Sequence, residues 1–473
     1  MRLTKIIATL GPATDSEEVL RGMITAGMNV ARLNFSHGTH DDHLVMLEKV
    51  RRISSEEGRY VAILQDLCGP KIRLGKVKGG KVELKEGSKV RIVREERESD
   101  ENTLSTSYPG MVDDIKEGDS IRINDGLIEL RATEKAADYI ECEVVIGGMI
   151  SSNKGINLPG VNVSSPTLTD KDRKDLEWGI EVGVDYVALS FVRYPDDVRE
   201  LKEIIRSRDS DIAVVSKIEK PEALDRIEEI VKESDAIMIA RGDLGVEMHV
   251  EEVPHIQKEI IEICGRLNRP VVVATQMLES MIENATPTRA EVSDVANAII
   301  DGADALMLSG ETSVGKYPLR TLSTMAHVAE RTEQTMRRDS AADRRFHISP
   351  SDEFGNVIAA SVAQLVRRLE LRLVIGFTAS GRTARLLSKR RLPVPIMGAS
   401  NSDRALRKMC ISRGVLPVNI EIFEQSEIMF QRGRELALEY GLVKEGDTII
   451  FVAGVPLGEA GTNMLRLHKV QRD

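Results

Sequence analysis

Eight short apolar runs, each too short for a helix and rich in Val, Ile or Ala, recur through the first two thirds of the chain. They are KIIATLG (Lys5 to Gly11), NVARLNFS (Asn29 to Ser36), YVAILQDL (Tyr60 to Leu67), YVALSFV, IAVVSKIE, AIMIARGD, PVVVATQ and ALMLSGE. A run of this kind followed by a charged stretch of helical period is the unit of a parallel sheet covered on both faces. Eight such units predict an α/β fold of the TIM (β/α)8 barrel type. Helical patterns begin near Ser16, His40 and Asp170 and follow the last strand. The rhythm breaks once. From Pro70 to about Ser165, short alternating segments (KVELKEG, KVRIVRE, SIRIND, LIELRAT, YIECEVVIGG) separated by Gly and Asp predict an inserted small β-barrel domain. Past Arg338 the polar stretch RRDSAADRRFHISPSDEFG reads as a linker. RLVIGFT, PVPIMGAS and DTIIFVAG, alternating with helical NVIAASVAQLVRRLE and IMFQRGRELALEYG, then predict a smaller C-terminal α/β domain. The expected partition is 1–69 and 166–338 for the barrel, 70–165 for the insertion and 339–473 for the tail.

Composition narrows the function classes. With 473 residues the chain exceeds a single core, and 41% apolar and 30% charged residues are globular values. A net charge of −10 argues against a nucleic-acid binder, which needs excess Lys and Arg. Cys68, Cys142, Cys264 and Cys410 are widely spaced, form no CxxC, argue against zinc and suit a reducing compartment. The start MRLTKIIATLGP has no apolar signal region and no run of about 18 apolar residues occurs, so a cytoplasmic location and no membrane partner are expected.

In such a barrel the chemistry belongs at the C-terminal ends of the strands. Those ends are polar here: Arg32, Asn34, Ser36 and His37 after the second strand; Asp66, Lys71 and Arg73 after the third; Lys217 and Glu219 on the fifth; Arg241 and Asp243 on the sixth; Thr275 on the seventh; Ser309 and Glu311 on the eighth. Taken singly each has an ordinary reading, as a salt-bridge partner, a turn residue such as His37, or a helix cap such as Glu219 or Asp243. Gathered on one mouth, five cations and several carboxylates are costly unless they bind a polyanion together with a cation. Lys217 and Glu219 are two apart and point to one face. Carboxylates from neighbouring strands suit Mg²⁺. The amides of Gly242 and Asp243, at a helix N-terminus, would receive a substrate carboxylate.

KIIATLGP, MNVARLNFSHG, GPKIR, NDGLIEL, KGINLPG, VVSKIEKPEAL, MIARGDLGVE, VVVATQMLESM, PTRAEVSDVANAIIDGADALMLSGET and TASGRTARLLSKRR, in this order, resemble the pyruvate kinase family over almost the entire chain. The resemblance implies a barrel, a lid domain inserted after strand 3, and a regulatory tail. It implies phosphoryl transfer from phosphoenolpyruvate to ADP, giving pyruvate and ATP, with Mg²⁺ (or Mn²⁺) as cofactor. By the same resemblance Lys217 neutralises the phosphoryl group in flight, Glu219 and Asp243 hold the metal, and Arg32 and Arg73 grip the phosphate. Thr275 and Ser309 resemble residues of the proton path to the enolate. Asn34, Ser36, Asp66 and the Leu67 carbonyl resemble a monovalent-cation pocket; Asp125, Lys154 and His37 resemble nucleotide contacts, a group in which Asn34 and Arg73 are also expected. A homotetramer is implied too.

Two features refine the expectation. In DLCGPKIRL, Lys71 stands where potassium-requiring members carry an acid and Leu67 where they carry Thr, so K⁺ is expected not to be required. In TASGRTARLL, Thr378, Ser380, Gly381, Arg382 and Thr383 offer a phosphate site at a strand-to-helix turn, with a self-capped helix as the alternative. The rival functions are a lyase acting on pyruvate or oxaloacetate from the same barrel, and a metabolite-binding regulator without catalysis.

Overall fold

The computed structural model describes residues 1–337, 353–421, 425–454 and 461–471, so most of the expected linker lies outside the described residues. Eight parallel strands close into a barrel: β1 Lys5–Thr9, β2 Val30–Asn34, β3 Ala62–Asp66, β4 Tyr186–Leu189, β5 Ala213–Ile218, β6 Ala236–Ala240, β7 Val271–Ala274 and β8 Ala305–Leu308. Each strand pairs with its sequence neighbour, and β8 closes on β1 through Ile7 opposite Met307. Ile7, Val30, Leu64, Tyr186, Val215, Met238 and Val272 fill the interior. Their alternates Ile6, Ala31, Ile63, Val187, Val214, Ile237 and Val271 pack outward in the layer shared with the helices. Burial of both faces is why these strands read as unbroken apolar runs rather than as alternating ones.

The helices start where the sequence caps them. Thr39 and Asp42 box the start of His40–Glu56, and Thr169 and Asp172 that of Asp170–Val182, each accepting and returning a hydrogen bond. Gly183, at φ 72°, ends the second of these helices in the left-handed conformation that glycine adopts without strain.

The insertion folds round an apolar core of its own that includes Leu84, Ile92, Ile121, Leu130 and Val144. It is a six-stranded sheet in the order Ile156–Asn157, Ser120–Ile123, Ile128–Lys135, Tyr139–Ile146, Lys89–Val93, Thr103–Ser105, with Lys81–Leu84 and Gly148–Ser151 as a separate ladder. The tail sheet has five strands in the order Val415–Asn419, Ile396–Ser400, Leu371–Phe377, Thr448–Ala453, Met464–Lys469. Two of these were not expected from the sequence, and both are edges. Val415–Asn419 contains Pro417, tolerated where only one ladder is made, and Met464–Lys469 carries Arg466 and Lys469 in six residues.

The tail docks beneath the barrel, at the ends of the strands opposite the mouth. Lys389 Nζ meets Asp304 Oδ2 at 2.7 Å with both side chains buried, and Lys5 Nζ donates to the Val415 carbonyl at 2.5 Å. Among the described residues no helix is long and apolar enough to cross a membrane.

Candidate active site

The two-residue period that fills the barrel interior also builds its mouth. One inward step past Ile7, Val30, Leu64, Ala188 and Val215 come Thr9, Arg32, Asp66, Ser190 and Lys217, so a polar layer lies directly on the apolar ones. Asp66 Oδ2 accepts from Arg32 Nε at 2.6 Å while its Oδ1 faces Lys217 Nζ at 3.3 Å. Arg32 also donates to Thr9 Oγ1 at 2.9 Å. Lys217 reaches Glu219 Oε1 at 3.0 Å and donates to Ser190 Oγ at 2.8 Å, and Ser190 in turn donates to the Leu67 carbonyl at 2.7 Å.

These groups set each other's charge. Burial works against the Lys217 ammonium, but Asp66 and Glu219 more than offset it and hold its pKa above that of a free lysine. Burial likewise works against the Asp66 carboxylate, and Lys217 with Arg32 overcomes it and holds the pKa below the usual range. Burial pushes Glu219 up, with the charge of Asp243 adding to the effect against Lys217. Its Oε2 accepts from the Phe191 amide at 2.7 Å. Phe191 has φ 55°, a left-handed conformation rare for an aromatic residue, which turns that amide inward.

Asp243 is the third residue of the helix Arg241–Glu247, inside its first turn rather than ahead of it. The Gly242 amide donates to Thr275 Oγ1 at 2.8 Å, and Thr275 donates to the Ala274 carbonyl at 2.7 Å. Thr275 and Gln276 both have positive φ, 69° and 55°, so the chain is strained where it leaves β7. Glu311, itself buried, holds the Ser309 amide at 2.7 Å and the Leu278 amide at 3.2 Å.

Glu219 and Asp243 are hard oxygen donors of like charge; burial is the main reason Glu219 is raised, and Asp243 adds to it. No third Asp, Glu, His or Cys is grouped with them among the described residues. That set fits a magnesium-type ion, which keeps most of its positions for water and substrate, and not zinc. Lys71 Nζ stands 3.6 Å from Asp243 Oδ1 across the crevice between lid and barrel.

The remaining expected residues are placed as follows. Asn34 Oδ1 accepts from the Ser36 amide at 3.2 Å, and His37 is exposed, its carbonyl bonded to His43 Nε2 at 2.9 Å. Arg73 lies at the root of the lid and donates to the Asn153 carbonyl at 3.1 Å, and among the described residues no hydrogen bond or ion pair joins it to the Lys217 cluster. Asp125 is at an exposed lid turn with φ 55°, and the Lys154 carbonyl accepts from the Leu74 amide at 2.8 Å. In the tail, the Thr378 amide donates to the Ala399 carbonyl at 3.0 Å, Ser380 precedes the turn, and Gly381 (φ 83°) begins the helix Arg382–Lys389 with no side-chain cap. Arg382 pairs with Glu353, and Thr383 Oγ1 meets Thr462 Oγ1 at 2.7 Å.

Two members of the polar layer escaped the sequence reading, Thr9 and Ser190. Both sit at strand ends, in KIIAT and YVALS, and counting inward positions by twos from the apolar core would have found them.

Known proteins match this architecture piece by piece. The family model described as "Pyruvate kinase, barrel domain" matches residues 1–322, and that described as "Pyruvate kinase, alpha/beta domain" matches residues 356–468. A pyruvate kinase of Mycobacterium tuberculosis is 43% identical over 473 residues, covering 100% of this chain and 99% of the relative. A pyruvate kinase of Geobacillus stearothermophilus is 42% identical over 473 residues, covering 99% and 80%. The crystal structure of a pyruvate kinase from Cryptosporidium parvum superimposes with a TM-score of 0.92 at 35% identity, covering 99% of this chain and 96% of that one. Barrel and tail each match their own model, and relatives above 40% identity run the full length of the chain, which therefore belongs to the pyruvate kinase family.

Proposed function

We propose that the mouth transfers the phosphoryl group of phosphoenolpyruvate to ADP with Lys217 as the cation on the group in flight. The observation that carries this reading is the Lys217 ammonium, held charged and aimed by Asp66, Glu219 and Ser190. Phosphoryl transfer asks a protein mainly for positioning and for fixed positive charge on the equatorial oxygens. Arg32, locked by Asp66 and Thr9, supplies a second fixed cation, and Arg73 a third as the lid settles. Magnesium, or manganese, held by Glu219 and Asp243 supplies Lewis-acid stabilisation of the charge that develops on the leaving oxygen. Thr275, beside Gly242, and Ser309, fixed through Glu311, line the proton path to the methylene carbon. Asp125, Lys154 and His37 meet the nucleotide from the lid and the β2 loop.

Lys71 takes the part of a monovalent cation. Its ammonium turns into the mouth toward Asp243 rather than out to solvent, which supports the reading, although its ion pair is to Asp243 and not to Asp66. The loop Thr378–Thr383 receives the phosphate of a regulatory metabolite; that the helix it opens carries no side-chain cap supports this over the self-capped alternative. The parts are a barrel of 1–69 and 166–338, a lid of 70–165 and a tail of 339–473, in a cytoplasmic homotetramer; four free thiols agree with a reducing compartment.

The test is a coupled assay for pyruvate formed from phosphoenolpyruvate and ADP, with and without Mg²⁺. Turnover that needs both ADP and the metal is expected, and absence of pyruvate would overturn the assignment.

A further inference from the structure

One carboxylate outside the mouth joins three elements. Glu247 Oε1 accepts from Asn157 Nδ2 of the lid at 2.8 Å and pairs with Lys220 Nζ of the barrel at 2.8 Å. Glu247 and Asn157 are 3% and 7% exposed, so the contact is made out of water, where a hydrogen bond to a charge is strong. Its partners are not arbitrary. Lys220 directly follows Glu219 at the end of β5, and Glu247 lies one helical turn after Asp243 in Arg241–Glu247. The pair therefore cross-links the two segments that carry the metal carboxylates. The lid inserts its amide into that cross-link and grips the same helix again through Arg122, which donates to the Val246 carbonyl at 2.6 Å. Arg193 holds the segment returning from the lid by the carbonyls of Val163 and Ser165.

We propose that Glu247 is a positioning residue that couples lid closure to the spacing of Glu219 and Asp243. With the lid docked, Asn157 and Lys220 fix Glu247, and Glu247 fixes the helix that presents Asp243. With the lid lifted, Glu247 loses its amide partner and keeps only Lys220, so the C-terminal end of the helix is held less firmly and Asp243 is less well placed. Nucleotide brought in under the lid and metal held by the barrel then favour each other through this carboxylate, as linkage requires of two ligands that prefer one state. The inference rests on the lid-and-barrel reading of the reaction. A wild-type enzyme without turnover would sink that reading, whereas the variants below address the coupling alone.

The experiment compares wild type, Asn157→Asp, Glu247→Gln and the exchanged pair Asn157→Asp/Glu247→Gln, with thermal unfolding to confirm folding. Asn157→Asp sets two carboxylates against each other. It is expected to raise KM for ADP and the half-saturating Mg²⁺ concentration about tenfold each, with a smaller change in kcat, as loss of one hydrogen bond to a buried charge implies. Amide hydrogen exchange in the free enzyme is expected to quicken in residues 241–247 and at the lid roots. Glu247→Gln keeps an acceptor for Asn157 and shows the same changes to a lesser degree. The exchanged pair restores an amide-to-carboxylate contact with Lys220 in reach, and returns exchange and both half-saturation values toward wild type. Wild-type exchange and ADP saturation in Asn157→Asp, or a folded exchanged pair no better than Asn157→Asp, would overturn the proposal. Should Asn157→Asp fail to fold, unchanged exchange and ADP saturation in Glu247→Gln would do the same.

Discussion

Lys217 and Asp66 face each other in the barrel mouth, Nζ 3.3 Å from Oδ1, and Asp66 spends its second oxygen on Arg32. The carboxylate thus aims two cations at once, on strands that are not neighbours. Lys217→Met is expected to fold, because it removes a charge and leaves the apolar stem, and to lose phosphoryl transfer by roughly three orders of magnitude. Enolisation of bound pyruvate, read as exchange of its methyl protons with solvent, should survive. Near-normal turnover would remove Lys217 from its role. Asp66→Asn leaves the Arg32 guanidinium without its counter-charge and Lys217 with Glu219 alone, at about 3–5 kcal/mol of stability measured by chemical unfolding.

That cluster also shows what the sequence could and could not tell. Arg32, Asp66, Lys217, Glu219 and Asp243 were legible because barrel strands have a fixed period and a fixed functional end. Ser190 was not, since a serine ending an apolar run looks like any strand terminus until Lys217 is seen bonded to it. The edge strands of the tail were hidden for a similar reason: an edge needs neither two buried faces nor two ladders, so Val415–Asn419 keeps its proline and Met464–Lys469 its charges. Glu247 lay within a quoted motif, but its partners come from sites 90 residues away on the lid and 27 away on the barrel.

The joint between barrel and tail should fail in acid. Asp304 is buried, which alone would raise its pKa, but Lys389, Arg391 and the Val271 amide hold it below the usual range. Lys389 is itself lowered, burial outweighing its partner, so the stabilisation is assigned to Asp304, which has two cations to the lysine's one carboxylate. A depressed acid contributes stability above its unfolded pKa of about 4 and loses it as pH falls through the lower folded value. Asp304→Asn is expected to cost about 3–5 kcal/mol near neutrality, because Lys389 is left buried without a counter-charge. The difference between wild type and variant in thermal unfolding should begin to shrink as pH falls below about 4 and vanish once pH is below the depressed folded pKa of Asp304. A difference that persisted there would contradict the assignment.

Thr275 is held at φ 69°, a conformation that costs a β-branched residue about 1–3 kcal/mol and persists only where the surroundings impose it. Its Oγ1 is the acceptor for Gly242 N–H. Thr275→Val keeps the shape and orphans that amide, with an expected loss of about 1–3 kcal/mol. Thr275→Ser keeps the oxygen and should be close to wild type in stability. If Thr275 serves the proton step, the valine variant slows deuterium incorporation into pyruvate more than the serine variant does. Equal rates in the two would place the proton path elsewhere.

The turn Ser380–Gly381 opens the eight-residue helix Arg382–Lys389, whose far end is Lys389, buried against Asp304. A phosphate seated on the turn would therefore press on an element anchored in the barrel floor. Fructose bisphosphate, a hexose monophosphate and AMP form the panel. At least one should shift the phosphoenolpyruvate saturation curve, and Arg382→Ala, which removes the guanidinium paired with Glu353, should weaken that shift about tenfold, as loss of a charge-assisted contact implies. Curves unmoved by the entire panel would leave the loop as a helix start only.

The last expectation concerns potassium. Lys71 brings one fixed positive charge into the crevice, its ammonium 3.6 Å from Asp243 and its side chain less than a third exposed. Its stem runs beside the lid backbone, since a Cβ added at Gly155 would stand 3.3 Å from Lys71 Cε, so the head group is constrained rather than free to swing into water. A K⁺ ion about 4 Å from that ammonium would repel it by roughly 4 kcal/mol at an effective dielectric of 20, more than a weakly held monovalent ion recovers. One cation is therefore expected to be enough. Turnover in buffer free of K⁺ and Na⁺, with Mg²⁺ present, is expected to match turnover with K⁺ added. Lys71→Glu replaces the cation by an anion that invites K⁺, so that variant should be slow in K⁺-free buffer and recover on addition of the salt. Strong activation of the wild type by K⁺ would sink the idea, and so would a Lys71→Glu variant indifferent to it, because the field of Lys71 would then have no part in holding the phosphate.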